Sequence, residues 1–201
     1  MKIINSAVDE ELDAGRLIKL ELGCGQNARD GFYSVDILEI EGVDIVADLN
    51  EPLSLLPDNC CDEIYSMHAF EHVSNFLPLM RELHRIVKPG GKIEIIVPHF
   101  SNAYGFSDPT HVRFFGLYTM YYFVDVESQP ALRKVPAFYS DLRFNVSSIC
   151  IEFYQPRKFR FFMRWFSKWV NQSIKRPDFY ELKLSGLIRA RQIRYVLETG
   201  P

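Results

Sequence analysis

An α/β fold built on a doubly wound, mostly parallel sheet is what this sequence predicts, and two observations carry the prediction. Short, nearly continuous apolar runs recur through the first hundred residues, separated by turn signals, as expected of parallel strands buried on both faces. Between the last two of these runs lies a segment with helical spacing. Lys88-Pro89-Gly90-Gly91 ends that segment, because proline cannot continue a helix and glycine supplies the turn.

The elements follow in order. Residues 1–15 are polar and acidic and read as a lead-in. Strands are predicted over 17–22, 32–36, 43–47, 63–66 and 92–97. The helix spans 74–87, with Phe76, Leu79, Met80, Leu83, Ile86 and Val87 on one face. Residues 98–142 form a long, aromatic-rich insertion after the fifth strand, with little periodicity. Residues 144–154 alternate like a strand, 157–176 read as a helix, and 191–198 as a seventh strand. The chain is expected to be one domain throughout, since 201 residues are enough for a single sheet-and-helix core.

Composition narrows the class. No apolar run reaches about 18 residues, so no spanning helix is expected. The first residues lack a basic-then-apolar leader, which points to a cytoplasmic protein. Cys24, Cys60, Cys61 and Cys150 make neither metal-ligand nor disulfide-framework spacing. Charge is polarised: residues 1–100 hold 8 Lys+Arg against 18 Asp+Glu, and residues 101–201 hold 15 against 8.

Ligands of open α/β sheets sit at the carboxyl ends of the strands, near the point where strand order reverses. Leu20-Glu21-Leu22-Gly23-Cys24-Gly25 follows the first strand, where Gly23 and Gly25 let the backbone approach a ligand. Asp36 ends the second strand, placed for a ribose diol, and Asp48 follows the third, near an adenine. With Glu21, these acids suit a ligand that carries cationic groups and no phosphate, and S-adenosylmethionine fits. A phosphate ligand would call for Lys, Arg or a helix N-terminus. The rival is a dinucleotide, because Gly23-x-Gly25-x-x-Ala28 matches the Gly-x-Gly-x-x-Gly/Ala pattern. That pattern must open a helix, and Asp30-Gly31 turns the chain before one can form.

The downstream stretches are Asp62-Glu63-Ile64-Tyr65-Ser66-Met67-His68-Ala69-Phe70-Glu71-His72-Val73 and Glu82-Leu83-His84-Arg85-Ile86-Val87-Lys88-Pro89-Gly90-Gly91. With the glycine turn, the acid at 36 and Asp48-Leu49, they resemble the class I S-adenosylmethionine-dependent methyltransferases of the broad type 11 group, over roughly residues 17–98. The resemblance implies their Rossmann-like, seven-stranded fold, S-adenosylmethionine as cofactor, and cofactor contacts at Glu21, Gly23, Cys24, Gly25, Asp36, Asp48, Leu49, Met67 and His68. The chain departs from the group in one place. A short loop over 26–31 stands where relatives have a third glycine and a helix, which leaves the pocket more open or closed in part by the N-terminal segment. His68-Ala69-Phe70-Glu71-His72 also matches the His-x-x-Glu-His pattern of inverted zinc proteases. The methyltransferase context accounts for the same residues, and no metal is expected.

The acceptor is expected to bind along 98–115, past the fifth strand. His99, just beyond the strand end, is the better-placed general base, and His99→Ala is expected to lower turnover far more than cofactor affinity. His111 is the second base candidate, with Asp108 near enough to orient its ring. Arg113 suits an acidic acceptor, and Tyr104, Phe106 and Tyr118 suit stacking on a ring. A hydrogen-bonded loop with aromatics in the core explains each residue singly about as well. The Pro98-His99 and Asp108-Pro109-Thr110-His111-x-Arg113-x-Phe115 pattern resembles that of bacterial methyltransferases associated with surface polysaccharides, which implies a sugar or glycolipid hydroxyl as acceptor.

Residues 156–176 place Arg157, Arg160, Arg164, Lys168 and Lys175 on one helix face, opposite Phe161, Phe162, Trp165, Phe166 and Trp169. Such a helix fits an anionic inner-membrane surface, a homodimer contact, or a cover for the sheet with a solvated charged face. The last is the leading expectation, and no nucleic-acid motif is present. Two function classes stand at this point. One is a methyltransferase of a small-molecule or glycan acceptor, and the other a non-catalytic binding or assembly module on the same fold.

Overall fold

The computed structural model describes residues 1–26 and 28–200. Eight strands form one sheet: β1 (Lys2–Ile3), β2 (Ile18–Leu22), β3 (Tyr33–Asp36), β4 (Ile45–Val46), β5 (Cys61–Met67), β6 (Val87–Pro98), β7 (Phe144–Phe153) and β8 (Ala190–Thr199). Their spatial order is β1-β4-β3-β2-β5-β6-β8-β7. The central pairs β4–β3, β3–β2, β2–β5 and β5–β6 are parallel, and β1, β8 and β7 add antiparallel edges. From β2 the chain steps outward to β3 and β4, then returns to β5 on the other side of β2. The reversal of strand order therefore lies between β2 and β5, the place where open α/β sheets bind ligands.

The apolar runs do what continuous apolar runs do in a parallel sheet. Leu20, Leu22, Ile64, Ile93, Ile95 and Val97 are fully enclosed. Helix α2 (Phe76–Ile86) connects β5 to β6 and buries Phe76, Leu79, Met80, Leu83 and Ile86. That is the predicted stripe, with Val87 passing into the strand instead. The Lys88-Pro89-Gly90-Gly91 stop is absorbed into β6, where Gly90 takes φ +73° and the pairing with β5 shifts register between Cys61 and Glu63. Between β2 and β3 no helix occurs among the described residues, so a ten-residue connection joins two parallel strands. Such connections usually need a dozen residues or more and a helix.

Two expectations change. The sheet has eight strands rather than seven, because the N-terminal segment is part of it. β1 pairs antiparallel with β4, and Val8 of helix α1 (Ser6–Asp13) is fully buried. The expected helix over 157–176 is α3 (Arg160–Val170), followed by α4 (Lys175–Phe179) and a π turn at Tyr180–Leu184. The break has a cause in Asn171. Its side chain pairs with the Ile151 backbone of β7 through both amide atoms, each at 2.8 Å, so the chain leaves the helix to dock on the sheet edge. Lys175 therefore lies on a different helix from Arg160, Arg164 and Lys168. Past Pro98, the segment to 142 holds short 3-10 turns, at Ala103–Phe106, Thr119–Phe123 and Val126–Ser128, and one isolated bridge between His99 and Phe115.

Candidate active site

At the end of β2 the backbone of Gly23 turns with φ +70°, and its N–H donates to the Val35 carbonyl at 2.8 Å. A Cβ at this position would lie 2.3 Å from the Cβ of Ala69, so both conformation and space require glycine. Gly25, at φ +57°, donates its N–H to Asp36 Oδ2 at 2.9 Å, and Oδ1 of the same carboxylate accepts from Leu38. Asp48 holds the backbone and side chain of Asn50 at 2.8 and 3.0 Å. Asn50 Oδ1 in turn accepts from the N–H groups of Ser74 and Asn75, so the chain after β4 is stapled to the start of α2. Beyond β5, His68 adopts φ +57°, a left-handed conformation uncommon for a residue with a Cβ. Its ring is clamped between Glu71 Oε1 at 3.3 Å and Gln192 Oε1 at 3.1 Å. This turn brings Ala69 down over Gly23.

These residues enclose a cavity of about 310 Å³ at the carboxyl ends of β2–β5. Gly23, Gly25, Asp36, Asp48, Leu49 and His68 line it, as do Ile37, Ala47, Asn50, Ala69, His72 and Val73, which the sequence did not single out for this role. The spacing Asp48-x-Asn50 was the available signal for Asn50. No lysine or arginine is among the lining residues described. The site therefore has the chemistry expected for a ligand without phosphates: a glycine cradle, two carboxylates and apolar walls.

Glu21, Cys24 and Met67 stand outside the lining. Glu21 is buried, and its Oε2 accepts the Arg29 N–H, so it fastens the loop between β2 and β3. Burial raises its pKa, with the Arg29 N–H acting against the rise. Burial, with Asp36 and Glu21 nearby, pushes the Cys24 thiol up to about 11. Met67 is partly exposed and accepts the Tyr65 hydroxyl at its sulfur. The N-terminal segment contributes nothing to the lining.

On the acceptor side several expectations are corrected. His99 is 1% exposed. Its Nδ1 accepts the Ser101 N–H at 3.1 Å, so Nε2 carries the hydrogen and donates to Glu181 Oε1 at 3.0 Å. With both nitrogens used, His99 is a clamp between β6 and the π turn, and it does not reach the cavity. Tyr118 is buried and donates to Asp178 at 2.7 Å. Arg113 caps the carbonyls of Val73 and Ser74 and lies 4.7 Å from the Phe76 ring. Tyr104 and Phe106 point outward, 74% and 62% exposed.

His111 stands differently. Its ring packs edge-on against His72 at 4.8 Å, and its Nε2 lies 3.7 Å from Asp108 and 4.0 Å from Glu71. Asp108 is exposed, and the Thr110 hydroxyl and N–H hold its carboxyl below the usual range. His72, which lines the cavity, thus links the cofactor side to the His111 corner.

Residues 28–95 match the family described as methyltransferase domain. No curated protein matches the sequence. Among solved structures, the chain is similar to a SAM-dependent methyltransferase from Archaeoglobus fulgidus, with 18% identity, 96% of this chain and 94% of that one covered, and a TM-score of 0.53. A putative methyltransferase from Bacillus halodurans gives 12% identity, 98% and 100% coverage, and a TM-score of 0.53. The cyclase SpnF gives 16%, 97% and 82%, and 0.52. At these identities the structures speak for the fold, and the family match over 28–95 speaks for the activity. Residues 28–95 thus match a methyltransferase domain of the type 11 group, carried on the fold that the chain shares with S-adenosylmethionine-dependent methyltransferases.

Proposed function

We propose that this enzyme methylates an oxygen of a small-molecule or glycan acceptor, and that the acceptor is aligned at the Glu71–His72–His111 corner of the cavity. The observation that carries the reading is His72, which lines the cofactor cavity on one side and touches His111 on the other. The cradle at Gly23 and Gly25 fits the homocysteine part of S-adenosylmethionine, Asp36 the ribose diol, and Asp48 with Leu49 the adenine. Bound there, the cofactor supplies an electrophilic methyl group on a sulfonium. The protein's part is to hold the acceptor oxygen in line with that methyl group and to dispose of its proton, tasks of position more than of covalent chemistry. His111, with Asp108 beside it, takes the place that the sequence reading gave first to His99.

Calorimetry with S-adenosylmethionine tests the cofactor half, and a screen of hydroxylated small molecules and glycans with labelled cofactor tests the other. Absence of cofactor binding at high micromolar concentration would refute the reading, leaving a module that keeps the fold without the reaction.

A second feature favours a lipid-linked acceptor used at the cytoplasmic membrane face, as in surface-polysaccharide assembly. On α3, Phe161 is 88% exposed and Phe162 and Trp165 at least half exposed, beside exposed Arg160, Arg164 and Lys168. Phe166 and Val170 are the residues that α3 buries. A helix covering the sheet with a merely solvated face would not leave three large aromatics in water, whereas cations among aromatics suit an anionic bilayer surface. No helix among the described residues is long and apolar enough to cross a membrane. Co-sedimentation with phosphatidylglycerol vesicles at low salt, lost in Phe161→Asp, is the expected result. A concentration-dependent dimer that survives without vesicles would favour the homodimer contact instead.

A further inference from the structure

The 3-10 turn Phe70–His72 and the loop over 108–113 assemble three side chains with metal-ligating atoms, and their hydrogen bonds leave donor atoms free. One such atom from each of Glu71, His72 and His111 lies within 4.8 Å of the others. Glu71 is 1% exposed, and its Oε2 has no hydrogen-bond partner among the described residues. A buried carboxylate oxygen left bare is costly, and a native structure that keeps one invites an explanation such as an ion.

The two histidines are prepared in the same way. Nδ1 of His111 lies 2.9 Å from the Gly105 carbonyl, which can only accept, so Nδ1 carries the hydrogen and Nε2 presents a lone pair. The Thr110 hydroxyl donates to Asp108 Oδ1, so toward His72 Nδ1, at 2.9 Å, it accepts. His72 therefore also carries its hydrogen on Nδ1 and presents Nε2. Metal-bound histidines have this arrangement, in which one nitrogen donates to an oxygen acceptor, fixing the tautomer and orienting the other toward the ion. Val112 donates its N–H to the Glu71 carbonyl at 2.9 Å, so backbone pairing joins the two segments that carry the three groups.

We propose that Glu71, His72 and His111 bind a divalent transition metal at the edge of the cofactor cavity, with the acceptor oxygen entering an open coordination position. Two histidines and one carboxylate with positions left open are the donor set of catalytic zinc and of non-haem iron sites. In tetrahedral or facial geometry, metal–ligand bonds of about 2.1 Å place ligand atoms roughly 3.0–3.4 Å apart, so the loop draws in by roughly an ångström and a half on loading. The catalytic role rests on the proposed function. With the ion bound, His111 Nε2 is a ligand rather than a base, and the ion takes over that part: it lowers the pKa of the acceptor hydroxyl, whose proton leaves to water. The oxygen lone pair then forms the bond to the methyl carbon, and the carbon–sulfur bond breaks with its electron pair going to sulfur. Nothing is oxidised or reduced, and the metal keeps its valence.

The metal-stripped full-length enzyme, titrated with Co²⁺ and Zn²⁺ by calorimetry and, for cobalt, by visible absorption, is the test. The expected result is one ion per chain, with Glu71→Gln and His111→Ala each weakening binding at least about tenfold while circular dichroism is retained. Thr110→Val, which removes the acceptor for His72 and touches no ligand atom, weakens it less. No stoichiometric binding below about millimolar metal, or binding indifferent to these substitutions, overturns the site. Cofactor calorimetry on the same samples separates the two claims. Cofactor binding without metal binding refutes the site alone, and metal binding without cofactor binding refutes the function and leaves the site. Methyl transfer undiminished by a chelator would overturn the catalytic role.

Discussion

The two ends of the segment over 98–115 carry one histidine each, and the pair teaches how little a histidine's position in sequence says about its task. His99 follows a central strand and is enclosed, with Ser101 on one nitrogen and Glu181 on the other. His111 lies on an irregular loop, and one of its nitrogens is committed to a carbonyl while the other faces carboxylates at 3.7 and 4.0 Å. A saturated ring fixes structure, and a half-saturated ring beside a cavity is available for chemistry.

The largest effect is expected on the side both histidines depend on. Gly23→Ala forces a Cβ into Ala69 and a side chain into a left-handed backbone. It should abolish measurable cofactor binding by calorimetry, because Ala69 can only yield by moving into the cavity. His111→Ala should lower kcat by about 10²–10⁴ with cofactor affinity unchanged, measured once an acceptor is in hand. His99→Gln inverts the pattern. It should cost about 1–3 kcal/mol of stability in denaturant unfolding, with turnover of the folded fraction preserved. A fall in turnover at unchanged stability would restore His99 as base. The smallest effect concerns Cys24, whose thiol sits at about 11. Since the thiolate is the reactive form, alkylation at pH 8 should run roughly a hundredfold slower than for a free thiol. It should rise about tenfold per pH unit toward 11, as mass spectrometry of the labelled peptide would show.

The cofactor half of the molecule was legible because its signals are local. Glycines needed for positive φ, acids at strand ends and a helical stripe on α2 all sit within a few residues of what they determine. The acceptor half was not, because its partners are distant in sequence. Glu181 is 82 residues from His99, and Asp178 is 60 residues from Tyr118. No spacing rule connects such pairs before α4 and the π turn fold back onto the segment after β6. A strand of two residues, β1, gives no periodicity to read, so a polar N-terminal segment concealed a sheet edge. On α3 the aromatic stripe predicted burial, and Phe166 obeys while Phe161 stands in solvent. Amphipathic pattern states that a face wants cover without saying what covers it.

Glu71 has a consequence for how the two halves communicate. Its Oε1 stands 3.3 Å from His68, on the wall of the cofactor cavity, and 4.0 Å from His111, at the corner proposed for the acceptor. On the proposed function, a single carboxylate belongs to both subsites, and a ligand that changes its orientation or charge from one side changes the field felt on the other. Thermodynamic linkage makes such coupling mutual: whatever factor the first ligand applies to the affinity of the second, the second applies to the first. Whichever ligand binds first, the coupling between the two sites then runs through one buried side chain.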